Sequence, residues 1–117
     1  MKIWSVCLIV LIYLSVFGQE VIWEETFSFP DGTGQGPGIP PKWTLNIQNC
    51  SLEGDDHFDV RSERMEGNDL DGEAVWTTKP ISLAGYTGCA VQIDLTEAGS
   101  LEASDYIGCS YILDGGT

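Results

Sequence analysis

Beyond residue 18, apolar side chains recur at every second position in short runs, the periodicity of strands that bury one face. In 21–29, Trp23, Phe27 and Phe29 fall on one side, with Glu25 the single charged residue among them. Pro30 stops this run. Segment 31–41 then holds four glycines and three prolines, a turn-forming composition. A second alternation, 42–48, sets Trp43, Leu45 and Ile47 on one face. In 57–64, Phe58 and Val60 face inward and Asp59, Arg61 and Glu63 outward, between acidic turns at 53–56 and 68–73. Shorter pieces follow at 74–77 and 81–83. Finally Cys89, Val91, Ile93 and Leu95 alternate with polar neighbours, as do Ile107, Cys109, Tyr111 and Leu113, which predicts an antiparallel pair joined through 97–105.

No window after residue 18 carries apolar residues at helical spacing without an interrupting glycine or proline. Short strands with turn signals every ten or so residues predict an all-β chain, an antiparallel two-sheet sandwich of jelly-roll type. Trp23, Trp43 and Trp76 are then core aromatics, with a sugar-stacking platform as the sharper alternative.

The first 18 residues change where this domain is expected to work. Lys2, an apolar run over 6–17 and the small residue Gly18 form the pattern of a cleaved signal peptide. The run is about a dozen residues, short of the roughly 20 that span a bilayer. The expected division is a signal peptide at 1–18 and, at 19–117, the N-terminal part of a β-sandwich domain, secreted or at the cell surface. Asp114-Gly115-Gly116 signals a hairpin turn, which predicts a returning strand and further domains beyond residue 117.

Charge narrows the partners. Of 117 residues, 18 are acidic and five basic, a net charge of −13, so phosphate backbones and anionic lipid are disfavoured. Three cysteines follow the signal: Cys50, Cys89 and Cys109. An exported chain meets oxidising conditions, but three thiols allow three pairings and leave one free, so the pairing stays open. Asn49-Cys50-Ser51 matches an N-glycosylation sequon, which has meaning only in a eukaryotic secretory route.

Candidate chemistry is sparse. Gly32, Gly34, Gly36 and Gly38 alternate, but Pro37 and Ile39 break the phosphate-cradle spacing and no helix follows. The best constellation is Asp69, Asp71 and Glu73 around Gly72, because carboxylates at alternate positions of a tight turn converge on a hard cation such as calcium. Aligned on its glycine, this stretch lacks the end ligands of an EF-hand loop. A structural calcium site would therefore be completed by Asp55, Asp56 and Asp105 from neighbouring loops. His57 is the lone histidine and no nucleophile motif accompanies it, so no catalytic residues are assigned and the fragment is expected not to be an enzyme.

Several phrases in the second half carry a resemblance: Phe58-Asp59-Val60-Arg61, the stretch Met65-Glu66-Gly67-Asn68-Asp69-Leu70-Asp71-Gly72-Glu73-Ala74-Val75-Trp76, Ile81-Ser82-Leu83-Ala84-Gly85-Tyr86, Ser104-Asp105-Tyr106-Ile107, and Leu113-Asp114-Gly115-Gly116. Together these resemble N-terminal β-sandwich modules, jelly-roll or concanavalin-like, of secreted multidomain proteins of Bacteroidota that carry a type IX sorting domain. The resemblance covers about half the chain and includes no catalytic motif. It implies a non-catalytic extracellular binding or adhesion module, with a glycan or another cell-surface ligand as partner. An accessory part of a secreted hydrolase and a structural spacer are the alternatives.

Overall fold

The computed structural model describes residues 20–113. The expected signal peptide at 1–18 and the turn expected at 114–116 lie outside the described residues. The chain divides into two compact units, one ending at Gly85 and the other beginning at Tyr86.

The described part of the first unit is all-β, with strands β1 (Trp43–Ser51), β2 (His57–Arg61), β3 (Arg64–Asn68) and β4 (Asp71–Thr78). β1 pairs antiparallel with β4, and β2 antiparallel with β3, giving two small sheets. Their connectivity makes them halves of one ribbon, which runs out along β1 and β2 and returns along β3 and β4. The tip is Ser62-Glu63, with φ of 47° and 57°, the left-handed pair that suits a two-residue hairpin. The expected strand over 57–64 therefore ends at Arg61, and the next five residues return as β3. Alternation alone hides this strand, because Arg64, Glu66 and Asn68 put charge and polarity on one face while Met65 and Gly67 leave little apolar signal on the other.

Two irregularities shape the ribbon. Between the pairs Ser51↔Asp71 and His57↔Asn68, five residues on the outgoing arm (52–56) face two on the return (69 and 70). Unequal arms bend an antiparallel pair, so the β2–β3 half is offset from the β1–β4 half. Within β1 the register slips between Asn46 and Asn49. There the Asn46 side chain accepts a hydrogen bond from Gln48 N at 3.0 Å, a local bond of the kind that competes with a ladder. Gly72 passes close by: its φ is 126°, and a Cβ would lie 2.1 Å from the Asn49 carbonyl oxygen.

The glycine- and proline-rich loop fastens the two halves. On the β2 side, Gly32 N donates to Val60 O (2.8 Å) and Val60 N to Thr33 O (3.0 Å), while Asp31 accepts from Ser62 N (2.8 Å). On the β1 side, Gln35 bridges Thr44, Gly36 N donates to Trp43 O (2.9 Å) and Lys42 N to Pro37 O (2.8 Å). Gly36 is required at this crossing, since a Cβ would sit 2.7 Å from the Trp43 ring.

The core follows the alternation. Trp43 and Val60 are wholly buried. Trp43 and Trp76 pack at 6.5 Å between ring centroids, and Trp23, Phe27 and Phe29 join them at 5.7–6.2 Å. Of the three tryptophans expected in the core, Trp43 is wholly buried, while Trp23 and Trp76 are half-buried and pack against its ring cluster. Segment 21–29 keeps its period of two, with residues 23, 25, 27 and 29 shielded and 24, 26 and 28 exposed, yet it forms no ladder. The reason is Glu25. Its carboxylate accepts hydrogen bonds from Phe27 N (2.8 Å) and from Trp43 Nε1 (2.8 Å), and lies 3.5 Å from Lys42 Nζ. Phe27 is turned to φ 54° and its carbonyl takes the Phe29 N–H at 2.7 Å, so the backbone is spent locally.

In the second unit the expected strand pair does not form among the described residues. All of 86–113 is exposed, with Val91 at 78% and Ile112 at 92%. A period-two segment gains stability when its apolar face meets another layer, and within the described part of this unit none is formed.

Candidate functional site

Where the ribbon bends, it leaves an open cleft of about 410 Å³. Part of its lining is apolar: Leu45 and Ile47 from β1 and Leu52 from the longer arm, with Gly32 and Gly34 adding no side chain. Phe58 reaches the same space from β2, its ring packed 3.3 Å from the Cβ position of Gly67. The rest of the lining is polar and comes largely from β2, where residues two apart share a side. His57, Asp59 and Arg61 lie there, with Asp56 at the strand entry.

This polar lining is held by ion pairs. Arg61 grips Asp59 with two parallel hydrogen bonds, Nε to Oδ1 at 2.6 Å and Nη2 to Oδ2 at 3.2 Å. That bond raises the guanidinium further above its ordinary range. Across the hairpin, Arg64 Nε donates to Glu66 at 2.9 Å and, with His57, holds that carboxyl below its usual range. His57 lies between two acceptors, Asp55 O (3.0 Å from Nδ1) and Glu66 Oε1 (3.1 Å from Nε2). The backbone bond to Asp55 is the main cause of its raised pKa, Glu66 adds to it, and burial opposes both.

The carboxylates expected to gather round a cation fall on several elements. Asp69 occupies the tight turn between β3 and β4 with φ 51°, while Asp71 and Glu73 lie on β4, opposite Ser51 and Asn49. On a strand, alternate residues stand roughly 7 Å apart and parallel, so they do not wrap one point as turn residues do. Asp56 spends an oxygen on its own turn, accepting from Glu53 N at 2.8 Å. Asp105 does the same with Glu102 N at 2.8 Å, in the other unit. Among the described residues no three His, Cys, Asp or Glu side chains form a group able to hold a metal ion. Cys50 is half-buried, Cys89 and Cys109 are exposed, and all three are free thiols.

The cleft residues were partly readable in the sequence. Asp59 and Arg61, two apart on a strand, had to share a face; that Leu45, Ile47 and Leu52 would line the same cleft depended on the unequal arms. No family model matches the chain, and neither does any curated protein or solved structure.

Proposed function

We propose that this chain is a non-catalytic extracellular binding or adhesion module, belonging to a jelly-roll-like sandwich in a larger exported protein, and that the cleft at the ribbon's bend is its ligand contact. The observation that carries this reading is that apolar side chains and the ion-paired polar side chains of β2 line one concave site, the usual make-up of small-ligand sites. A glycan suits such a site, having apolar C–H faces and hydroxyl edges. The acidic surface turns away nucleic acid and anionic lipid. Export follows from the leader at 1–18.

The test is twofold. Expressed from its natural start, the protein is expected outside the cytoplasm with its N-terminus at residue 19, and the purified product is expected to bind whole cells or immobilised polysaccharide saturably. An intact leader on cytosolic protein, or no saturable binding to either surface by folded protein, overturns the reading.

A further inference from the structure

The Asp59–Arg61 pair points beyond a generic binding cleft to the chemistry of what it takes. We infer, resting on the reading above, that the cleft selects an uncharged saccharide and reads adjacent hydroxyl groups with the joined Asp59 carboxylate and Arg61 guanidinium.

The argument starts from what the pair has left to offer. Arg61 spends two of its five donors on Asp59, and Asp59 keeps unused lone pairs on both oxygens. Donors and acceptors therefore stand side by side, fixed by a bidentate contact, in a pair whose charges cancel. A hydroxyl both donates and accepts, so two neighbouring hydroxyls satisfy both partners without parting them. An anionic ligand would have to compete with Asp59 for Arg61, with Asp56 and Glu66 nearby to repel it. A cationic ligand would compete with Arg61 for Asp59. A purely apolar ligand would strip water from both groups and return nothing, a costly exchange. In the same lining, Leu45, Ile47 and Leu52 supply apolar surface of the kind that a sugar ring's C–H face requires. The cleft volume of about 410 Å³ lies in the range of small-ligand sites.

Calorimetric titration of the exported chain with uncharged oligosaccharides, and with sulfated and uronic-acid-containing counterparts of similar length, tests this. Binding of an uncharged saccharide is expected, with charged counterparts at least about tenfold weaker. Asp59→Asn, which breaks the fork, and Leu52→Asp, which alters an exposed rim position, are each expected to weaken it about tenfold or more while circular dichroism stays unchanged. Should Asp59→Asn fail to fold, Leu52→Asp still decides. Equal or tighter binding of anionic glycans, undiminished binding by the folded variants, or no binding of uncharged saccharides overturns the inference. In each of those cases, continued saturable binding to cells leaves the binding-module reading standing, and its loss removes both.

Discussion

Replacing Glu25 with alanine removes two hydrogen-bond acceptors and an ion-pair partner at once, because one carboxylate serves Trp43 Nε1, Phe27 N and Lys42. The side chain is only 5% exposed, so water cannot easily take its place. A buried donor left without a partner costs about 1–3 kcal/mol, and Glu25→Ala is expected to lower stability by about 2–4 kcal/mol in urea denaturation. Glu25→Gln keeps one acceptor and should lose less. His57 behaves differently, because its contribution depends on pH. With both ring nitrogens against acceptors, the doubly protonated ring makes both hydrogen bonds and the neutral ring can donate only one. Its folded pKa lies above the ordinary 6.5, so its stabilisation is complete below about 6.5 and is lost as pH rises through the folded value. Glu66 acts at the acid end: its pKa is lowered, so its contribution is present above the ordinary 4.5 and disappears as pH falls through the folded value. A melting series from pH 5.5 to 8.5 should therefore show a decline that His57→Gln flattens. An unchanged slope in that variant would remove His57 from the account.

At the scale of elements, the bend in the ribbon is what makes a site out of two otherwise ordinary strand pairs. The tip at Ser62-Glu63 is a place where local sequence opposes geometry, since neither residue favours positive φ. The double change Ser62→Asn with Glu63→Gly supplies the residues such a turn prefers and keeps the backbone N–H that Asp31 accepts. It is expected to stabilise the protein by about 1 kcal/mol, seen as a rise of roughly 4–8 °C in Tm. A fall would show that Ser62 or Glu63 makes side-chain contacts that matter more than the turn. Period-two patterning made β1, β2 and β4 legible, along with the shielded face of 21–29. It failed wherever backbone partners were decided by something other than alternation. Glu25 looked like a flaw in a strand and is the reason that segment is not one. Asp69, Asp71 and Glu73 looked like a single turn because β3 was unseen, and recognising β3 moves two of the three onto β4. Such outcomes depend on register, which a side-chain pattern specifies weakly when one face of a strand is short and polar.

For the whole molecule, the contrast lies between a unit stitched by long-range hydrogen bonds and another in which 86–113 exposes its apolar residues. Calcium bears on the first, because Asp71 and Glu73 are strand residues of β4 and Asp69 lies in the turn before them. Millimolar calcium is expected to leave its Tm unchanged against a chelator control; a clear rise would mean that Asp69, Asp71 and Glu73 are drawn together by the ion. Hydrogen exchange separates the two units directly. Amides inside the pairings of β1 with β4 and β2 with β3 exchange only when the ribbon opens, and Val60 and Gly32 should share that protection through the loop. In 86–113 the backbone forms no ladder, and near-intrinsic exchange is expected there despite the alternation of Val91, Ile93 and Leu95. Strong protection in 89–95 and 107–113 would show that these segments pair in solution, which is what a second sheet of a sandwich requires. The same amides would then report whether that layer is supplied by the chain itself, since protection that grows with protein concentration comes from a second copy and protection independent of it does not.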